Sequence, residues 1–222
     1  MPNFKAIFWD NDGTLVDTEH LYFEATKKAL REAGFDLSMD YYINDHLAKD
    51  ETTMGAMVTA GCSDEEILRV RRIRDGYYSK FLEEGVQVRP GVLETLEYLY
   101  PNTFMAVVTS SPRDHFEIIM SKSGLAKYFK FFVTQDDVTK LKPDPEPYLQ
   151  ALQRSGFKPE ECLAIEDTPK GIKAAKLAGL TAYATPTKMT SSLDFSLADG
   201  VFDNVTEIFL PASAATTTES AA

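Results

Sequence analysis

Residues 5–19 read KAIFWDNDGTLVDTE, and this stretch decides the fold. The short apolar run Lys5–Trp9 is typical of a buried β-strand, and the Asp-Asn-Asp-Gly that follows it is typical of a turn. Side chains two positions apart on extended backbone lie on the same face, so the carboxylates of Asp10 and Asp12 are expected to converge. The stretch therefore predicts a buried strand with two acids at its carboxyl end.

Two converging carboxylates are compatible with more than one kind of site. One can stay ionised as a nucleophile or metal ligand while the other gains and loses a proton. A plain Asx-rich turn without chemical activity fits the same letters equally well. A calcium-binding EF-hand loop is excluded, because Leu15 stands where that loop needs glycine and Leu21 where it needs glutamate.

Downstream of residue 90, predicted strands alternate with predicted helices of about ten residues. This alternation favours right-handed βαβ units and a mostly parallel sheet, because such a strand must return by a crossover helix. The predicted strands are Thr103–Val108, Phe131–Thr134, Cys162–Ile165 and Thr181–Ala184. The predicted helices are Val92–Leu99, Arg113–Ser123, Glu146–Ser155 and Lys170–Ala178.

Between the first strand and residue 87 the pattern is helical, and no strand is predicted there. The predicted helices are Glu19–Ala33, Asp50–Thr59 and Ser63–Leu82, and Ser63-x-x-Glu66 opens the last of them as a capping box. The sequence thus predicts an α/β core with a helical insertion of roughly 70 residues after its first strand. The tail 211–222 is low in complexity and is expected to be disordered.

The net charge of −11 over 222 residues argues against a nucleic-acid partner, which would require clustered Lys and Arg. No apolar stretch has the length of a membrane span or the pattern of a signal peptide, so we expect a cytoplasmic protein with no membrane partner. Cys62 and Cys162 lack metal-ligand spacing and are expected to be small buried hydrophobes in a reducing compartment. A monomer or a small homo-oligomer is expected.

A hydroxyl cluster, Thr109-Ser110-Ser111, follows the predicted strand that ends at residue 108. Its hydroxyls and the backbone N–H groups of the following helix start could bind an anion. Ser111 could instead be an ordinary helix N-cap ahead of Pro112.

A lysine and two acids complete the set of polar residues near strand ends. Pro143 and Pro145 restrict the backbone just after Lys142, although a solvated surface lysine fits this pattern too. Glu166 and Asp167 end the strand predicted from residue 162, where adjacent acids suit a divalent cation or simply the positive end of a helix. Because ligands of parallel sheets bind at the carboxyl ends of strands, all these stretches are expected to meet at one edge.

These motifs, in this order, resemble those of the haloacid dehalogenase-like (HAD) hydrolase superfamily. The stretches that carry the resemblance to its β-phosphoglucomutase and phosphoglycolate phosphatase branch include DGTLVDTE (12–19), RPGVLETLEYL (89–99), KPDPEPYLQAL (142–152) and EDTPKGIKAAKLAGL (166–180). The resemblance implies a Rossmann-like three-layer core with a parallel sheet and an inserted all-helical cap domain. The implied boundaries are 1–17 and 87–210 for the core and 18–86 for the cap.

The resemblance also implies a role for each motif residue in hydrolysis of a small phosphorylated metabolite with Mg²⁺. Asp10 is the implied nucleophile that forms an aspartyl-phosphate, and Asp12 is the implied general acid and base. The implied catalytic residues are Asp10, Asp12, Thr109 and Lys142. The implied phosphate-binding residues are Asn11, Thr109, Ser110 and Lys142. The implied Mg²⁺ ligands are Asp10, Asp12 (through its carbonyl), Asp167 and, in support, Glu166.

Two other functions fit the same family. A phosphosugar mutase would pass the phosphoryl group to a second sugar hydroxyl, but the histidine expected of such a mutase is replaced by Tyr22, and His20 lies two residues early. Lys49, in a stretch that resembles the cap's specificity loop, could contact substrate or be solvated. A catalytically silent binding module is disfavoured, because Asp10, Asp12 and Asp167 are all present.

Overall fold

Six parallel strands form the central sheet of this computed structural model, which describes residues 4–49 and 51–210. The strands are β1 (Ala6–Trp9), β2 (Phe104–Val108), β3 (Phe132–Val133), β4 (Cys162–Glu166), β5 (Thr181–Ala184) and β6 (Gly200–Val201). Their spatial order is β3-β2-β1-β4-β5-β6. The chain thus builds outward from β1 in one direction and then in the other, and such a reversal is where α/β sheets bind ligands.

The helices alternate with the strands of the core, and a group of them fills the segment between β1 and β2. In that segment lie α1 (Glu19–Glu32), α2 (Met39–Tyr41, extended by a π-helical turn over Tyr42–Leu47), α3 (Gly55–Thr59) and α4 (Asp64–Glu84). The core contains α5 (Val92–Leu99), α6 (Arg113–Ser123), α7 (Glu146–Ser155), α8 (Pro169–Leu177) and α9 (Val205–Phe209). None of the helices in the described ranges is long and apolar enough to cross a lipid bilayer.

The central strands β1 and β2 are buried on both faces, which is why they are apolar without interruption. In β1, Ile7 and Trp9 contribute to the hydrophobic cluster that includes residues of α5, α6 and α9. Ala6 and Phe8 point the other way and join the cluster that includes residues of α7 and α8. Helices therefore cover both faces of the parallel sheet, and the predicted three-layer α/β core is confirmed.

The helical segment after β1 has a hydrophobic cluster of its own, in which α1 and α4 contribute buried residues such as Leu30 and Val70. The chain enters and leaves this segment side by side, because Val16 pairs with Val88 and the Asp17 N–H donates to the Gln87 carbonyl at 2.9 Å. The helical content predicted for this segment is confirmed. The division into a core and a cap at 17/18 and 86/87 stays a prediction.

Some local predictions were wrong. The helix predicted over Asp50–Thr59 begins only at Gly55, since residues 51–54 form an irregular turn, and residue 50 lies outside the described residues. The segment Met39–Leu47, β6 and α9 were not predicted, because a helix of five residues or a strand of two carries too little periodicity. The predicted disorder of the tail concerns 211–222, which also lies outside the described residues.

Candidate active site

The ammonium group of Lys142 lies at the centre of a buried ionic cluster. Its Nζ donates to Asp10 Oδ1 at 2.7 Å, to Glu166 Oε1 at 2.6 Å and to the Val108 carbonyl at 2.7 Å. Asp10 follows β1, Val108 ends β2 and Glu166 ends β4, so three neighbouring strands converge on one lysine. Lys142 is only 3 % exposed, and the alternative of a solvated surface lysine is therefore wrong.

Asp167 completes an acidic cluster next to that lysine. Carboxylate oxygens of Asp10, Glu166 and Asp167 all lie within 4.8 Å of one another, and all three residues are buried. Asp167 Oδ2 is buried and has no hydrogen-bond partner among residues 4–49 and 51–210. A buried carboxylate oxygen without a partner is costly, which makes this atom the natural ligand for a cation.

Two glycines make room for these acids. A Cβ added to Gly13 would lie 2.1 Å from Asp167 Oδ2, and one added to Gly171 would lie 1.9 Å from Glu166 Oε2. Gly13 also has φ +80°, a conformation that disfavours any side chain. The glycines of the DxDG and EDTPKG stretches therefore have a definite steric function beside the acids.

The electrostatics of the cluster oppose full ionisation. Burial raises the pKa of Asp10 to about 8; the charge of Lys142 lowers it, while Glu166 raises it again. Burial, and then the charge of Asp10, raises the pKa of Asp167 well above its usual value. Burial alone would lower the pKa of Lys142, but the charges of Asp10 and Glu166 outweigh it and raise that pKa. The cluster needs more positive charge than one lysine supplies to hold all its acids ionised.

Within the described residues, Asp12 accepts hydrogen bonds from hydroxyl groups and one side-chain amide, and not from the lysine. Its Oδ1 accepts from Thr18 Oγ1 at 2.6 Å and from the Tyr78 hydroxyl at 3.1 Å. Its Oδ2 accepts from Ser111 Oγ at 2.6 Å and from Asn11 Nδ2 at 3.0 Å. Asp10 and Asp12 are thus two carboxylates in different environments, one with a lysine and one with hydroxyls. This arrangement suits a division of labour between them.

The remaining predicted site residues lie beside Asp12. Thr109, which follows β2, is buried, and its Oγ1 is 3.5 Å from Asp12 Oδ2. Ser110 Oγ and Asn11 Oδ1 are buried without hydrogen-bond partners in the described residues. The structure therefore brings every predicted site residue to the carboxyl edge of β1, β2 and β4, and it leaves several polar atoms there without partners. Their roles in catalysis stay predictions.

The alternative of Ser111 as an ordinary helix cap is wrong. Helix α6 begins at Arg113 with Pro112 in the N-cap position and no side-chain cap, while the Ser111 hydroxyl donates to Asp12. The plain-turn alternative for the DxDG stretch also fails, since Asp10 binds a buried lysine across 132 positions of sequence. The alternative that Glu166 merely suits the positive end of a helix fails for the same reason, because its carboxylate accepts a hydrogen bond from that lysine.

Several residues that hold the site together were not predicted from the sequence. Tyr148 donates to Glu166 Oε1 at 2.6 Å, and Thr18 and Tyr78 bind Asp12. Arg89 donates to the carbonyls of Gly13 and Thr185 at 2.5 and 2.8 Å, which ties the first turn to the end of β5. The signals in the sequence were that Thr18, Arg89 and Tyr148 lie within the stretches DGTLVDTE, RPGVLETLEYL and KPDPEPYLQAL.

The exposure of two other residues bears on their expected roles. Lys49 Nζ pairs with Asp45 Oδ1 at 2.9 Å, and its side chain is 65 % exposed, so it lies on the surface. Contact of Lys49 with substrate stays a prediction. Both cysteines are free thiols; Cys162 is buried as predicted, whereas Cys62 is partly exposed and that prediction is wrong.

The sequence profile described as "haloacid dehalogenase-like hydrolase" matches residues 7–185 of the chain. This range includes the turn with Asp10 and Asp12, the buried Lys142, and the acids Glu166 and Asp167. The chain belongs to this family. The resemblance seen in the sequence motifs is therefore confirmed, and the chain is a hydrolase of the HAD superfamily.

Several relatives of the chain are named as phosphatases. The chain is 32 % identical over 181 residues to the phosphorylated carbohydrates phosphatase of Thermotoga maritima, covering 79 % of this chain and 82 % of that protein. It is 31 % identical to the phosphoglycolate phosphatase of Salmonella typhimurium, and the match covers 81 % of this chain and 80 % of that protein. The crystal structure of CbbY from Rhodobacter sphaeroides in complex with phosphate superimposes with a TM-score of 0.81 at 25 % identity. The superposition covers 92 % of this chain and 96 % of that chain.

Proposed function

We propose that this HAD hydrolase cleaves small phosphate monoesters by transferring the phosphoryl group to the carboxylate of Asp10. The observation that carries the proposal is the buried cluster in which Lys142 binds Asp10 next to the unpartnered Asp167 oxygen. Phosphoryl transfer needs charge neutralisation and positioning more than elaborate covalent chemistry, and this cluster offers both. The names of the relatives support a phosphorylated carbohydrate or a similar small metabolite as the substrate.

In this mechanism Asp10 attacks phosphorus while Asp12 protonates the leaving oxygen, and Asp12 then takes a proton from the water that hydrolyses the aspartyl-phosphate. General acid–base help of this kind contributes about 10²–10⁴-fold to a rate. Asp12 suits the task, because its carboxylate is held beside the site by hydroxyl donors and not by the lysine. Water competes with any second sugar hydroxyl for the intermediate, and Tyr22 in place of the mutase histidine favours hydrolysis.

Magnesium is the metal that this site is proposed to hold. The donors are hard oxygens, the carboxylates of Asp10 and Asp167 and the carbonyl of Asp12, which suit Mg²⁺. The fit is supported by the buried Asp167 oxygen without a partner and by the acids' raised pKa values. A bound Mg²⁺ supplies positive charge that neutralises the acids and the incoming phosphate. Glu166 then supports the site indirectly, through Lys142.

The phosphoryl oxygens are proposed to bind Lys142, Thr109 and the backbone N–H groups of Asn11, Asp12 and Ser110. These groups lie at the carboxyl ends of β1 and β2, where the backbone turns away from the sheet. They provide the local positive character that a protein of net charge −11 needs in order to accept a dianion. A cytoplasmic location and a monomeric or small oligomeric state stay predictions.

A phosphate-release screen tests the proposed function. The purified chain is expected to release phosphate from p-nitrophenyl phosphate and from at least one primary sugar phosphate with Mg²⁺, and to stop when EDTA is added. Isomerisation of a sugar monophosphate in the presence of trace bisphosphate, without phosphate release, would establish a mutase instead. Release that is unaffected by EDTA would contradict the metal assignment.

The Gly13→Ala variant is expected to lose about 10²-fold in kcat/KM, the effect of displacing catalytic groups by roughly 1 Å. The added methyl group would force Asp167 away from its position, since the available gap is 2.1 Å. Kinetics over a Mg²⁺ titration measure the effect, and the Mg²⁺ concentration for half-maximal activity is expected to rise.

Gly34→Ala is the matched control for this variant. Gly34 has φ +84°, close to the +80° of Gly13, but a Cβ there would meet no atom within 4 Å. It carries the same backbone cost, about 1–2 kcal/mol, without the clash. Equal loss of activity in both variants would show that backbone strain, and not the position of Asp167, is responsible.

A further inference from the structure

The carboxylate of Asp12 is held from three separate parts of the chain. Thr18 lies only six positions away, and Ser111 lies in the core between β2 and α6. The third part contributes Tyr78, which lies 66 positions away on α4, in the helical segment. Tyr78 is therefore the contact by which the far helix of the proposed cap reaches the general acid and base.

The ring of Tyr78 packs against two other rings, one from the helical segment and one from the core. It is 2 % exposed. The ring of Tyr22, on α1, lies perpendicular to it at 5.2 Å, and that of His115, on the core helix α6, lies nearly perpendicular at 4.9 Å. Edge-to-face contacts of this kind are favourable and directional. Because they hold the ring, the Tyr78 hydroxyl is aimed at Asp12.

The Tyr78 hydroxyl is the donor in its contact with Asp12. An ionised carboxylate has no proton to give, so at 3.1 Å the phenol donates and the Asp12 Oδ1 accepts. The hydroxyl therefore orients the acceptor.

We propose that Tyr78 is a positioning residue, whose hydroxyl orients Asp12 for proton transfer when α4 is packed against α6. The inference rests on the proposed function, in which Asp12 is the general acid and base. A general acid must lie within hydrogen-bond reach of the leaving oxygen, so the rotamer of Asp12 decides its efficiency. Thr18 and Ser111 donate to Asp12 from segments close to β1 and β2. Tyr78 adds a donor that reaches Asp12 only when α4 is packed against the core.

The test compares Tyr78→Phe with Tyr77→Phe on two esters. Tyr77 is the adjacent residue of α4, and its hydroxyl donates to Glu32, away from Asp12. The esters are p-nitrophenyl phosphate, whose leaving group departs without a proton, and the primary sugar phosphate with the highest wild-type kcat/KM. The ratio kcat/KM reports the steps through the first irreversible one, the transfer to Asp10.

Tyr78→Phe is expected to lower kcat/KM for the sugar phosphate about 10-fold, a part of the 10²–10⁴-fold range for general acid catalysis. For p-nitrophenyl phosphate its kcat/KM is expected to stay near wild type, and Tyr77→Phe is expected to match wild type on both esters. Equal losses of Tyr78→Phe on both esters, or no loss on either, would overturn the inference. A wild-type chain that hydrolyses neither ester would instead refute the proposed function.

A double-mutant cycle keeps the test valid even if Tyr78→Phe is less stable. In an Asp12→Ala background the acid is already absent, so adding Tyr78→Phe is expected to cause no further loss with the sugar phosphate. A further loss of the same size in that background would mean that Tyr78 acts through general packing, and the inference would be wrong.

Discussion

Replacing Asp10 with asparagine is expected to lower kcat by at least about 10⁴-fold, the scale seen when a nucleophile is removed. An amide does not attack phosphorus, and the other carboxylate on Lys142, that of Glu166, is buried and already accepts from the Tyr148 hydroxyl. The measurement is phosphate release from p-nitrophenyl phosphate with Mg²⁺. Trapping of the phosphoryl group by the wild type, and not by the variant, identifies the atom that is attacked.

The same substitution is expected to leave the fold intact, because it is nearly isosteric and Lys142 keeps Glu166 and the Val108 carbonyl as acceptors. The pH dependence of stability provides a sharper check. In the metal-free protein the pKa of Asp10 is raised to about 8, so ionising this carboxyl between about pH 4, the unfolded value, and pH 8 costs stability. Asparagine lacks this cost.

Thermal unfolding without metal at pH 5 and at pH 8 measures this effect. The difference in Tm between Asp10→Asn and wild type is expected to move in the variant's favour as the pH rises. Asp17→Asn is the matched control, because Asp17 lies in the same stretch with a side chain 52 % exposed. Retained turnover in Asp10→Asn, or loss of its cooperative unfolding, would refute the assignment of the nucleophile.

The positions of the main acids could be predicted because they follow from sheet geometry. Parallel strands end at a common edge, so polar residues just after β1 and at the end of β4 must lie near one another. The inward direction of Asp10 follows from the buried run before it, whose residues are all fully or almost fully buried. Lys142 needed the family resemblance, since it does not itself follow a regular strand.

The donors to Asp12 could not be predicted, for a different physical reason. Tyr78 belongs to a helix whose own periodicity says only which side is buried, and not which distant carboxylate its hydroxyl meets. Ser111 fits a helix cap in sequence, and only the three-dimensional position of Asp12 diverts its hydroxyl. Contacts between an inserted helical segment and a core are set by packing at long range, and a single sequence carries little information on them.

Lys142→Ala is expected both to inactivate and to destabilise the protein, because this ammonium is the central counter-ion of buried acids. Removing one partner of a buried ion pair typically costs about 3–5 kcal/mol, since the other charge is left uncompensated. Here two carboxylates, those of Asp10 and Glu166, lose their partner together. Lys142 itself is protonated at pH 7.5, because the charges of Asp10 and Glu166 raise its pKa above the ordinary value of about 10.4, and urea unfolding at that pH measures the loss.

In kinetics the same variant is expected to show a higher KM and a lower kcat, because the ammonium meets negative charge both in the bound substrate and in the transition state. Lys140→Ala is the control from the same loop. Lys140 Nζ lies 3.5 Å from Asp144 Oδ2 with its side chain 69 % exposed, and such surface pairs contribute about 0–1 kcal/mol. Similar losses of stability and activity in the two variants would mean that the loop, and not the buried charge, matters. A defect confined to Lys142→Ala, and smaller at pH 5 where the acids bind protons, would identify charge compensation as its function.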